Sequence, residues 1–397
     1  MKPGLLSKKG PVETSVDAAG TSACATVGLL FFAIVSLHAQ TYATKLPITD
    51  PAIHYSQGPF ADAASHLDPS TLKHDDRLGY LPSLLEHLKI NPDSQALVFS
   101  RTSFQASKIG PRNPRAIYFG DDAAVGFVRG SDVMEVAAVD PKQGVVFYTF
   151  DARKENLVRQ DVCLKCHDGP ATSGVPGIFI GSVYPDAAGN AHSGRAIITD
   201  HRTPFADRWG GWYVNAAHGE QRDRANAVAP DPAEPETLVK LARFDLPGYL
   251  STVSDIVALM TFEHQTQMTN YITRAGWLAR MGKIEDSDID ALVNYMVFAD
   301  EVPLPEPVEG VSTFTKTFPQ RGPRDRQGRS LRDFDLQTRL FRYPLSYVIY
   351  SPQFDALPGS VRDRIYHKLY DRLKGRREIL EILRDTKTGL PSWWPGI

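Results

Sequence analysis

Cys163-Leu164-Lys165-Cys166-His167 is the stretch that most limits what this chain can fold into. Two cysteines separated by two residues and followed at once by histidine form the attachment signature of c-type haem. Each thiol adds across one vinyl group, and the gap lets both sulfurs reach one edge of the macrocycle. The adjacent His167 then falls under the iron as its proximal imidazole. The motif occurs once, so the expectation is one covalently attached haem c, held by Cys163 and Cys166 and ligated by His167.

Other readings of the motif compete with haem. A structural zinc site needs about four ligands, and the cysteines supply only a pair. His192, His201 and His218 follow downstream, which leaves a Cys2His2 site open, although no closely spaced histidine pair accompanies them. A redox dithiol would open a helix inside a βαβ pattern. Here Asp168-Gly169-Pro170 make a turn instead. Incidental occurrence of the pattern is the remaining alternative.

The N-terminus argues for export. Lys2, Lys8 and Lys9 precede an uncharged run whose apolar centre is Ala25 to Val35, and Leu37-His38-Ala39 forms a passable cleavage site. Residues 1–39 therefore read as a signal peptide or as an uncleaved membrane anchor, with membrane association through residues 18–39 in the second case. Either way the body is expected in the periplasm or otherwise outside the cytoplasmic membrane. Cys24 lies within this leader, so the mature chain would keep the haem pair and no disulfide framework. Stability would rest on an ordinary core, for which 397 residues at 42% apolar content suffice. A formal charge of -2 gives no basis for nucleic-acid binding.

In chain order, residues 41 to about 75 lack periodicity and read as a surface wrap. Leu81 to Leu88 repeats apolar residues at helical spacing. Strand candidates follow at 96–100, 116–119, 124–128, 133–139 and 145–150, separated by turn residues such as Arg129-Gly130-Ser131-Asp132. Arg153 to Val162 reads as a short polar connection. The stretch from Gly169 to Gly219 is loop-rich. Ser254-Asp255 opens the best helix, running to Met281, and a second amphipathic helix spans Ile289 to Phe298. A proline-stiffened connector then leads to helices between Val361 and Arg384. The fold class is therefore α+β: an antiparallel meander, a loop-rich haem segment and a helical C-terminal half, unlike the ordinary small all-α cytochrome c fold. The parts are 40–160 with the sheet, 161–230 with the haem loops, 231–300 helical and 301–397 with the connector and last helices. Residues 40–397 are compatible with one compact domain.

The distal side of the iron has candidates rather than an assignment. No methionine lies between Cys166 and Met260. His192, His201 and His218 sit on loops, and His218 follows the aromatic segment Trp209 to Tyr213. Met260, His264 and Met268 fall at four-residue steps on one face of the long helix. His264, His218 and Met268 are the distal candidates, and His264 doubles as a candidate catalytic acid/base. For each, the alternative is a loop or core residue with no contact to the iron.

The segments LPSLLEHLKI, PRAIYFGDDAAVGFVRG, VCLKCHDG, TDHRTPFADRWGGWYV, SDIVALMTFEHQTQMTN and RDFDLQTRLFRYPLSYVIYS resemble a family of exported bacterial proteins described only as cytochrome c domain-containing. The resemblance covers most of the chain after the leader. It implies a haem c protein outside the cytoplasm, with Cys163 and Cys166 attaching haem and His167 as proximal ligand, and it implies no activity.

The resulting functional expectation is an exported single-haem cytochrome taking part in electron transfer with redox partner proteins. The alternatives are a haem enzyme, such as a peroxidase or small-molecule oxidoreductase with an open distal site, and a haem-based sensor or interaction protein. A carrier needs only about 100 residues to shield a haem, so the length leans toward the enzyme.

Overall fold

The computed structural model describes residues 44–192, 196–217, 219–241 and 248–394, so the leader at 1–39 lies outside the described residues. Leu81–His87 (α1) opens the ordered elements, and its apolar side buries Leu81, Leu84 and Leu85. Six strands follow: β1 (Ala96–Val98), β2 (Arg115–Phe119), β3 (Ala123–Val128), β4 (Val133–Asp140), β5 (Gly144–Asp151) and β6 (Asn156–Arg159). The motif comes next, on the short helix Leu164–His167 (α2). A two-stranded ribbon of β7 (Ile180–Ser182) and β8 (Ile197–Thr199) follows it.

The main sheet has seven strands in the order β6-β5-β4-β3-β2-β1-β9, where β9 is Trp212–Tyr213. All its pairings are antiparallel. The expected meander is therefore present, and α+β is the architecture. Two strands exceed expectation. β6 lies in the stretch read as a polar connection, because its four residues, mostly half-buried and flanked by charges, show no period that would reveal the pairing with Tyr148 to Asp151. β9 lies in the loop-rich region, and its two residues pair at Leu97 and Val98 far away in sequence. Such short edge strands have no period to read.

The sheet divides the core into two layers. Leu97, Val125, Phe127, Met134 and Val136 face one cluster together with α1. Ala96, Val98, Phe119 and Ala124 face the other, which the helical half fills. This alternation is the pleat itself, since successive side chains of a strand point to opposite faces. The segment from 44 to 75 is more than a wrap. Ile53 and Tyr55 are each 1% exposed, and the Tyr55 hydroxyl donates to the Val145 carbonyl at 2.8 Å.

The helical half is organised by α3 (Ile256–Arg280), which follows the expected span. Asp255 caps it: Oδ1 accepts from the amides of Val257 and Ala258, at 2.8 and 3.2 Å. Its Oδ2 accepts from the amides of Val311 and Ser312, tying the helix start to the connector. Phe262 stacks on Phe119 of the sheet with ring centroids 4.5 Å apart. Asp286–Met296 (α4), Phe314–Gln320 (α5), Pro352–Asp355 (α6), Gly359–Leu373 (α7) and Arg377–Thr386 (α8) complete the helices. Among the described residues, no helix is long and apolar enough to cross a membrane.

Candidate functional site

The loop after the motif is built from its own polar groups and from α3. Thr172 Oγ1 donates to the Val175 carbonyl at 2.6 Å, and the Gly177 amide donates to the His167 carbonyl at 2.9 Å. From α3, Asn270 donates to the Ile178 carbonyl at 2.8 Å, and Arg274 donates to the Ser173 carbonyl at 3.0 Å. Gly177 has no room for a side chain: a Cβ there would lie 2.0 Å from Asn270 Oδ1. The loop is thus pressed against the helix, and the motif inherits the rigidity of both.

This packing sets the chemistry of His167. Its Nδ1 lies 3.0 Å from the Gly177 carbonyl. A carbonyl only accepts, so Nδ1 carries the proton and Nε2 keeps its lone pair. The ring is gripped between Phe147 and Phe179, with centroids 4.9 and 5.4 Å away. Burial lowers its pKa to about 4, so the imidazole is neutral at pH 7 and available as a ligand. Carbonyl hydrogen bonding of the second nitrogen is the usual means of orienting a metal-ligating histidine. Behind it, Asp168 pairs with Lys45 at 2.7 Å.

Cys163, Cys166 and His167 all line one cavity of about 350 Å³. That size falls in the range of about 300–1000 Å³ typical of small-molecule sites. Its floor is the sheet face carrying Arg115, Ile117, Ala124, Gly126, Glu135 and Ala137. The middle of that floor, Ala124, Gly126 and Ala137, has almost no side-chain relief. Phe179, Trp212 and Phe262 contribute aromatic walls. At the rim, Phe104 and Val162 are 54% and 51% exposed. Large apolar residues left open beside a concavity are what an occupant would cover.

Thr102, Ser103, Ser107 and Lys165 add polar groups to the lining, and two charged side chains of the floor are paired. Glu135 Oε2 pairs with Arg115 Nη1 at 2.6 Å. Its Oε1 accepts from Ser103 Oγ at 2.6 Å and from Gln105 Nε2 at 2.9 Å. Gln105 is itself held by Ser131, whose hydroxyl donates to Oε1 at 2.6 Å. Sequence reasoning missed Arg115 and Glu135. The available signal was the period of two, which puts Arg115 with Ile117 and Glu135 with Ala137 on one face.

The two cysteines differ in state. Cys163 is a half-buried thiol, and desolvation pushes its pKa up to about 11. Cys166 is disulfide-bonded.

The distal candidates lie elsewhere. His264 is fully buried but does not line the cavity. Its Nδ1 faces Nδ1 of His201 at 3.0 Å, and its Nε2 faces Ser346 Oγ at 2.8 Å. Its ring stacks on Tyr295 and Phe298. Both nitrogens therefore serve protein partners, and burial holds the pKa down to about 3. Next to this cluster, the buried Glu263 accepts from Thr199 at 2.6 Å and Trp209 at 3.0 Å, and faces Arg208 at 3.4 Å. Burial pushes its carboxyl up to about 7 despite Arg208. Met268 is buried in the core and is likewise absent from the cavity lining. His192 reaches the Ala229 carbonyl at 2.6 Å, and His218 lies outside the described residues. Among the described residues lining the cavity, His167 is the one histidine and there is no methionine. Among the described residues, no group of three or more His, Cys, Asp or Glu side chains gathers around a common point, so the zinc reading finds no support there.

No family model matches the chain, and no curated protein and no solved structure matches it.

Proposed function

We propose that this chain is an exported, redox-active protein carrying one haem c in the cavity beside Cys163–His167. One observation carries the reading: both motif cysteines and His167 line the same cavity, and Gly177 holds His167 in the tautomer that leaves Nε2 free. Cys163 and Cys166 would carry the thioether links, and Nε2 of His167 would ligate the iron. The flat floor of Ala124, Gly126 and Ala137 suits a planar group. Bound there, haem would supply one-electron chemistry, held by Cys163, Cys166 and His167.

The described lining offers no second imidazole or thioether to such a group, which supports a haem that would stay accessible to an added ligand. The enzyme or ligand-binding version of the function is therefore preferred to the simple electron carrier, with a redox partner protein supplying or accepting electrons. His264 is not part of this proposal.

The test is expression in a host that matures cytochrome c, followed by denaturing electrophoresis with haem staining. Haem is expected to stay with the chain through denaturation, and the double variant Cys163→Ala/Cys166→Ala should lose it. A protein without haem absorbance would end the reading. Carbon monoxide added to the ferrous protein should shift the spectrum, and an unresponsive spectrum would restore the carrier.

A further inference from the structure

His167 and the loop after it are joined twice. The Gly177 amide donates to the His167 carbonyl at 2.9 Å, and His167 Nδ1 donates to the Gly177 carbonyl at 3.0 Å. The second bond orients the imidazole and raises the basicity of Nε2, the nitrogen that would meet the iron. Its strength depends on where the Gly177 carbonyl points. That carbonyl belongs to the Gly177–Ile178 peptide, which lies outside any helix or strand. What packs behind the peptide therefore sets its direction.

The side chain behind it is Asn270, fully buried on α3. Its Nδ2 donates to the Ile178 carbonyl at 2.8 Å and reaches Gln267 Oε1 at 3.2 Å. Two acceptors on one nitrogen fix which end of the carboxamide is which. Gln267, one turn earlier, in turn donates to Ser173 Oγ at 3.1 Å, farther back on the same loop. The other end, Asn270 Oδ1, is buried and has no hydrogen-bond partner. It abuts Gly177 so closely that a Cβ there would overlap it. The φ of Gly177 is not among the positive values of the chain, so the neighbouring carboxamide, not the backbone, is what demands glycine. An oxygen buried without a donor is destabilising by about 1–3 kcal/mol. The reason for an amide at position 270 thus lies in its other end, the donor on Ile178.

Resting on the haem reading above, we propose that Asn270 is a positioning residue that sets the reduction potential of the haem. It acts through the Gly177–Ile178 peptide and His167. With the peptide clamped, the Gly177 carbonyl stays on Nδ1, and a more basic Nε2 favours the ferric state. A slack peptide weakens the Nδ1 bond and favours the ferrous state. Asn270 itself touches neither the motif cysteines nor the cavity lining.

The experiment is a redox titration of the haem-loaded protein, followed by absorbance, on wild type and three variants. Asn270→Leu keeps nearly the shape of asparagine but cannot donate to Ile178. It should move the ferric–ferrous equilibrium about tenfold toward ferrous, the lower end of what the outer partner of a ligating histidine contributes. For a one-electron couple that is a rise of about 59 mV. Asn270→Ala should shift the potential in the same direction, and it leaves room for a water at Ile178 if the leucine variant does not fold. Arg274→Met is the control: it removes a bond from α3 to the same loop, at the Ser173 carbonyl, and should loosen the loop without moving the potential. An unchanged potential in the Asn270 variants, or an equal rise in Arg274→Met, overturns the positioning role while the haem reading stands. A wild-type protein lacking haem overturns both.

Discussion

Replacing Glu263 by glutamine gives a sharp physical test of the buried polar layer behind the cavity. The carboxyl is fully buried and titrates near 7 rather than at its ordinary 4.5. The folded state therefore binds more protons than the unfolded state between those values. Stability contributed by this group grows as pH falls from about 7 toward 4.5 and is lost as pH rises through 7. At about 1.4 kcal/mol per pKa unit, moving from pH 8 to pH 5 should stabilise the wild type by about 2–3 kcal/mol through Glu263 alone. Glutamine keeps an oxygen for Trp209 and Thr199 but cannot titrate. The buried histidines work in the opposite direction, since His264 and His167 are held down to about 3 and 4. They are common to both proteins and cancel in the difference. Urea unfolding read by tryptophan fluorescence at pH 8, 7, 6 and 5 should show Glu263→Gln losing ground steadily on acidification, by about 2–3 kcal/mol across the series. Parallel stability curves would refute the argument, because a merely structural role for the side chain has no pH slope.

Other outcomes follow from the same geometry. Gly177→Ala places a Cβ where Asn270 Oδ1 now sits, and overpacking of this kind costs about 1–3 kcal/mol; the melting temperature should fall, and the yield of haem-loaded protein with it. Asp255→Ala removes acceptors for four backbone amides at the start of α3 and should cost about 2 kcal/mol or more, measurable by chemical denaturation. His264→Gln should leave the ferric and ferrous absorbance spectra unchanged, because both of its nitrogens are engaged away from the cavity; a shifted Soret band would return it to the iron.

The legible parts were those with local causes. The five strands of the meander, the capped helix beginning after Asp255, the helix ending at Met296 and those between Val361 and Arg384 carried their period in adjacent residues, whereas the short α5 and α6 did not. The edge strands β6 and β9 did not, since they are set by partners distant in the chain. Tyr55 and Ile53 look like loop residues because the segment has no period, yet they are buried by the strand they cross.

By itself the sequence determined the spacing of the motif and the class of fold, because thiol spacing and strand alternation are properties of neighbouring residues. The tertiary structure alone decided that His167 is held by Gly177, that a neutral Arg115–Glu135 corner faces the motif, and that His264 turns to His201 rather than to the cavity. The reason is the same in each case. A side chain on a 25-residue helix or a sheet face has a direction but no partner until the layers pack. Packing then satisfied both nitrogens of His264 with protein partners.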